Sequence, residues 1–363
     1  MKQLAGTANA TYNTDDTNIK HIVRSATITE GIKATAEIVS DDNANYPIYM
    51  WWDNTDNIGT IYWYCEDEEP SMNADSSNMF RQLKSLETIP ELNEIDTSEV
   101  TNMSSMFNTT NIAKLDLSKF DTSKVKNMNG MFCAAKVSTL DISNWDTGNV
   151  TDMGSMFINV TTLKSLDLTH FNTKNVTTMA QMFDGMTSIE YLNLSGWTNE
   201  KLRNMGHMFR NVGRFAAVSD VVIDLTDFKT PNVTNMASLF AIDWSSSKGP
   251  KVLDLSSFNP SNGTGITGMF NLVATETIYV SEEFINAISS NSPTTTVFCS
   301  NSNGIGLVGG AGTTRSDVAN ANVAEYARVD DPDNGKPGYF SIKGARYIRY
   351  DGNGADNAEP MVL

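Results

Sequence analysis

The chain has 363 residues, enough for two ordinary domains or one long array, and 40% of them are hydrophobic, so a packed core can form. Its formal charge is −17, from 43 Asp and Glu against 26 Lys and Arg. That excess argues against nucleic acid and anionic membrane surfaces as partners, because both are bound through basic patches. No apolar run reaches 18 residues, so no membrane insertion is expected in this fragment.

Met1 to Asn13 holds one lysine and no apolar stretch, unlike a secretory signal peptide. Two readings follow, a cytosolic protein or a piece excised from a longer exported one, and the polar start from Gly6 to Asn18 favours the second. Next, Tyr46 to Tyr49 and Gly59 to Tyr64 read as strands, with Asp53 to Gly59 as the hairpin loop joining them. Residues 1–71 are therefore expected to be a β-rich region ending in a capping hairpin. Trp51, Trp52 and Trp63 have two readings there. They cover the open end of whatever follows, which is preferred, or they form an aromatic platform for sugar rings.

From about residue 72 the chain repeats itself. Leu115-Asp116-Leu117-Ser118 recurs as Leu140-Asp141-Ile142-Ser143, Leu166-Asp167-Leu168-Thr169, Leu192-Asn193-Leu194-Ser195, Ile223-Asp224-Leu225-Thr226 and Leu253-Asp254-Leu255-Ser256, and it degenerates at Ile278-Tyr279-Val280-Ser281. Alternation in this block marks a short strand. A second block, Val125, Met128, Met131 and Phe132, has its counterparts at Val100, Val150, Val176, Leu202 and Val233, and its i, i+3, i+6, i+7 spacing predicts a short helix. Phe120-Asp121-Thr122-Ser123 lies between, with an aromatic plug and a helix-capping side chain. One such unit cannot bury its own apolar stripe, whereas stacked units bury a shared one. The fold expected is an α/β solenoid, a leucine-rich-repeat-like array of short parallel strands and short helices over residues 72–281. The Met stripe belongs to its core rather than to a metal path.

The phrase Leu115 to Ser118, Phe120 to Met128 and Met131-Phe132 resembles the BspA-like leucine-rich repeat of bacterial surface proteins of lactobacilli, mycoplasmas, clostridia and oral anaerobes. The flanks at Tyr46 to Tyr49, Gly59 to Tyr64 and Pro337-Gly338-Tyr339-Phe340 are similar to the segments around such arrays. The resemblance implies a secreted or cell-surface, wall-associated protein without enzymatic activity. It implies adhesion to a host extracellular-matrix or cell-surface protein, and it carries over no binding residues.

If the strand leucines face inward, Asp116, Asp141, Asp167, Asn193, Asp224 and Asp254 line an outward row beside a row of hydroxyls from Ser118 to Ser256. Two readings follow: side chains that serve neighbouring backbone groups, which is preferred, or an acidic face for a basic partner or calcium. Beyond the array, residues 282–347 are expected to be a C-terminal cap with a flexible glycine-rich loop at Gly304 to Gly312. Asp330 to Gly335 resembles half of a calcium loop but reads better as a hairpin turn. Residues 348–363 are a tail or, from Tyr350 to Gly354, the start of a stalk module. Asp351, Asn353 and Asp356 give no better calcium signal. Cys65, Cys133 and Cys299 form no metal motif, and neither do His21, His170 and His207, so no metal or other cofactor is expected. No nucleotide loop or hydrolase elbow is present. The expected function is therefore a non-catalytic adhesion module, with glycan binding or a structural spacer as alternatives.

Overall fold

The computed structural model describes residues 1–40, 45–55, 57–218, 220–242, 248–271, 275–298, 307–318 and 320–343. Two repeats are longer than the rest, with extra residues at Val212 to Val222 and Ala241 to Pro250; Cys299, Gly304, Tyr350 to Gly354, Asp356 and residues 243–247 of the second extra stretch lie outside the described residues. The chain forms two compact units, Met1–Leu163 and Lys164–Leu363, a division that falls between two copies of the repeat.

The first unit opens with a four-stranded sheet in the order β1-β4-β3-β2, built from β1 (His21–Arg24), β2 (Glu37–Ile38), β3 (Tyr49–Asp53) and β4 (Thr60–Tyr64), with the short helix α1 (Glu30–Lys33) after β1. β3 and β4 are the expected antiparallel hairpin. Gly59 closes its loop at φ +80°, and a Cβ there would lie 2.3 Å from the Asn18 carbonyl oxygen, so no other residue fits. The repeats then supply β5 (Lys114–Asp116) and β6 (Thr139–Asp141), parallel and in register at Leu115 and Leu140.

In the second unit β7 (Ser165–Asp167), β8 (Tyr191–Asn193) and β9 (Val222–Asp224) form one parallel sheet. β10 (Val252–Leu255), β11 (Thr277–Val280) and β12 (Phe340–Ile342) form another. Helix α2 (Glu282–Ile288) follows β11, and the Ser281 hydroxyl caps it by accepting the Phe284 N–H. The architecture is thus β-rich and repetitive, with short strands in small parallel sheets and few helices.

The repeated helices are not formed. Where a helix was expected after Val100, the backbone descends through overlapping turns, with Ser105 and Thr109 left-handed at φ 55° and 58°. The same pair recurs at Gly130 and Ala134, Ser155 and Asn159, Gln181 and Gly185, and His207 and Asn211. The hydrogen bonds give the reason. Met103, Ser105, Phe107 and Thr109 donate their N–H groups to Asn127, Asn129, Met131 and Cys133 of the next copy, while Met106, Asn108 and Thr110 donate three residues back. A helix would turn every donor onto its own chain. Here alternate donors leave sideways and join one copy to the next. Successive three-residue turns also place i, i+3 and i+6 on one side, so the apolar spacing alone does not separate them from a helix.

That side is the core. Val125, Met128, Met131 and Phe132 are fully buried, as are their equivalents in both units. In the first unit Phe80, Phe107, Phe132 and Phe157 stack with centroids 5.3, 5.7 and 5.4 Å apart. In the second unit Phe183, Phe209, Phe240, Phe270 and Phe298 do the same at 5.1 to 6.1 Å. A parallel column there runs through Phe171, Trp197, Phe228 and Phe258, and Trp197 donates its indole N–H to the Leu168 carbonyl at 2.9 Å.

Candidate functional site

From β5 to β10 the first residue of each strand is exposed, the third is exposed or half-buried, and the second is buried except for the half-buried Leu140, so the outward rows follow from alternation. Asp116 and Asp141 stand side by side in the first unit. In the second, Asp167, Asn193 and Asp224 are in register. β10 lies against β9. The 30-residue offset that stacks Phe228 on Phe258 and bridges Asn235 to Gly265 puts Asp254 beside Asp224.

These side chains are already engaged. Asp116, Asp141, Asp167, Asn193, Asp224 and Asp254 each accept the N–H two residues on, at 3.0 to 3.2 Å. The hydroxyls of Ser143, Thr169 and Ser256 donate to the same carboxylates. Asn193 also donates to Asp167 at 3.2 Å, a contact that two carboxylates could not make. Ser118, through its hydroxyl and its N–H, holds the Asp116 carboxyl below its ordinary range. For Asp167 the Thr169 N–H does so, outweighing the opposing effect of burial. At Asp254 burial pushes upward, but the Lys343 ammonium at 2.6 Å and Ser256 prevail and the carboxyl is lowered.

Sequence reading missed a second row. Asp75, Asn102, Asn127 and Asp152 bridge copy to copy in the first unit, as do Thr178, Asn204, Asn235 and Gly265 in the second. The Asn102 amide donates to Asp75 at 3.0 Å and the Asn235 amide to Asn204 at 2.9 Å. The signal was the polar residue just before the first Met of each phrase, as in Asn102-Met103 and Asn127-Met128. A buried hydroxyl column, Thr97, Thr122 and Thr147, was equally periodic. Thr97 and Thr122 donate to the Asp121 and Asp146 carbonyls.

The three tryptophans are not brought together. Trp63 is buried beneath the N-terminal sheet with the Arg24 guanidinium 5.1 Å from its ring centre. Trp52 shares that inner side of the sheet, while Trp51 faces the other way and stacks on Tyr62 at 5.7 Å. Below the inner side a cavity of about 1040 Å³ is lined by Met50, Trp63, Met72 and Phe80 among others. Its lining contains the carboxylates Asp67 and Asp75 and, among the described residues, no lysine, arginine or histidine.

Asp330 is buried and accepts N–H bonds from Ala311, Thr313 and Gly338 at 2.9 to 3.0 Å, together with the Thr313 hydroxyl. In the described part of the glycine-rich segment, residues 307–312, the backbone turns onto this carboxylate, while Gly304 to Gly306 lie outside the described residues. Gly309 is obligatory there, since a Cβ would meet the Gly338 carbonyl at 2.2 Å and Asp330 at 2.4 Å. Asp331 to Lys336 is a hairpin turn with Gly335 left-handed. Among the described residues no three His, Cys, Asp or Glu side chains are grouped to hold a metal ion, and no helix is long and apolar enough to cross a membrane. Cys65 and Cys133 are free thiols.

A family model described as "Mycoplasma protein of unknown function, DUF285" matches residues 74–191, 137–241 and 190–278, together more than half of the chain. Neither the curated proteins nor the solved structures give a match.

Proposed function

We propose that this chain, which belongs to the DUF285 family, is a non-catalytic binding module of a bacterial cell surface whose repeats are coils of a solenoid. It holds a protein partner, such as a host extracellular-matrix or cell-surface protein, on outward strand residues and on the loops of its long repeats. The observation that carries this reading is the contrast between the two sides of a repeat. Inward positions are nearly constant and, apart from the half-buried Leu140, buried. The outward first residue of each strand changes from Lys114 and Thr139 in the first unit to Ser165, Tyr191, Val222 and Val252 in the second. A constant frame with a variable face is how repeat scaffolds are adapted to partners.

The chemistry of the outward acids supports a non-catalytic role. The carboxyls of Asp116, Asp167 and Asp254 are lowered by their hydrogen bonds, which suits acceptor and ion-pair roles rather than a general acid, a role that needs a raised pKa. Copy-to-copy hydrogen bonds and aromatic columns within each unit support the solenoid reading. The BspA-like phrase supports the surface location. The test is binding of the chain to an array of matrix proteins, mucins and glycans, with and without calcium. Saturable binding to a protein, weakened by outward substitutions, is expected. Glycan binding lost on Trp51→Ala would replace this reading with a carbohydrate-binding one, and silence across the array would favour a spacer.

A further inference from the structure

The second unit carries an apolar row that local structure does not use. Tyr191, Val222 and Val252, the first residues of β8, β9 and β10, are 37%, 46% and 50% exposed. Tyr191 and Val222 are in register, and the 30-residue offset sets Val252 next to Val222. Tyr191 and Val222 thus stand side by side in water at strand spacing, about 4.8 Å apart, and Val252 follows on β10, which lies against β9 without pairing to it. The equivalent positions in the first unit are Lys114 and Thr139, so the repeat itself does not demand them.

The charges beside this row are one-sided. Two residues along each strand, on the same face, lie Asp167, Asn193, Asp224 and Asp254. On the opposite flank Lys164 pairs with Glu190 at 3.7 Å and Lys251 with Glu276 at 3.2 Å, and the Asp220 carboxylate accepts the Lys251 N–H, so that flank mixes both signs. The chain itself shows what the acidic side holds. The Lys343 ammonium sits 2.6 Å from Asp254, with Asp224 and Asp227 adding to the attraction.

We infer that this face binds a protein segment presenting one apolar ridge flanked along one side by lysine or arginine side chains. The ridge covers Tyr191, Val222 and Val252, and the cations take positions over Asp167 and Asp224 like that of Lys343 over Asp254. The inference rests on the protein-binding reading above and adds the face and the chemistry of the partner. Apolar contact supplies the burial, and the acidic row fixes orientation and rejects acidic segments.

The test uses the full chain and three synthetic helical peptides of equal length: lysine with leucine, lysine with serine, and glutamate with leucine. Titration calorimetry should show binding of the first alone. A combined Tyr191→Thr, Val222→Thr, Val252→Thr variant should bind it about tenfold more weakly or worse, a loss of about 1.4 kcal/mol. An Asp167→Asn, Asp224→Asn variant should weaken binding and flatten its salt dependence. Unchanged circular dichroism would show that these exposed substitutions leave the fold intact. Equal binding of the lysine–serine peptide, or full affinity in the threonine variant, would overturn the inference. The protein array separates this from failure of the broader reading. If a partner found there binds the threonine variant as well as the wild-type chain, the module stands and this face falls. If no protein binds, the broader reading falls.

Discussion

The left-handed residues of each repeat decide whether alternate N–H groups can point to the next copy. Ser105, Ser155, Gln181 and His207 occupy the first such position in other copies, so a side chain is accommodated there. Gly130 holds it at φ 60°, and an added Cβ would touch only the Ser105 hydroxyl at 3.4 Å and Cys133 at 3.8 Å. Gly130→Asn should therefore be nearly neutral, because Asn tolerates this backbone. Gly130→Val should destabilise by about 1–2 kcal/mol, since a β-branched residue resists it. Urea unfolding of the two variants checks the difference, and equal costs would mean that space rather than backbone conformation is limiting. Asp330 sets a second residue-scale expectation. Its carboxylate serves three backbone N–H groups and the Thr313 hydroxyl. Asp330→Ala strands these donors in a buried site and should cost about 3 kcal/mol or more. Amide exchange should show Thr313 and Gly338 losing protection first.

Among the elements, strands were legible and turns were not. Leu115-Asp116-Leu117-Ser118 announced its own alternation, and every later copy except the degenerate Ile278 block ended in the same Asx or hydroxyl arrangement. The methionine phrase misled because a stair of three-residue turns and a helix place nearly the same residues on one side. What separates them is the destination of the N–H groups, and composition does not reveal it. The Asn102 to Asp152 ladder was a better clue, since Asn and Asp fit turn and bridge positions better than helix interiors. The apolar row was equally open to view, as the residue before each Leu-Asp-Leu block. It passed unnoticed because Tyr191, Val222 and Val252 suit a strand anywhere. For the tryptophans, alternation alone puts the adjacent Trp51 and Trp52 on opposite faces, and only the pairing of β3 with β4 shows that Trp63 shares the face of Trp52. The aromatic column makes the element-scale prediction. Phe132 touches Phe107 and Phe157 at 5.7 and 5.4 Å and is fully buried. Phe132→Ala should cost about 3–5 kcal/mol, and the outward Lys114→Thr at most about 0.5 kcal/mol. Similar costs for both, read from thermal or urea unfolding, would show that the column is not the element that joins the copies.

For the whole molecule the governing quantity is its carboxylate population: a formal charge of −17, with many acids tied to turn N–H groups. Turn hydrogen bonds hold the carboxyls of Asp75, Asp121 and Asp167 below the ordinary range, as they do for Asp116. A group depressed in the folded state contributes its stability above its unfolded pKa, about 3.9 for Asp. That contribution is lost as pH falls through the lower folded values, because the unfolded chain takes up protons first. Stability should therefore hold on acidification from pH 7 to about 5, then drop through the region below about 4. Repulsion among the acids works the other way near neutrality, so added salt at pH 7 should raise the melting temperature. The two effects separate in an Asp75→Asn, Asp167→Asn variant. Asn already fills equivalent positions at Asn102, Asn127 and Asn193, where it accepts the same N–H bond. The variant should fold, keep its turns, lose less stability between pH 5 and 2, and gain less from salt. An acid transition identical to that of the wild-type chain would show that these turn carboxylates do not set the acid limit of the fold.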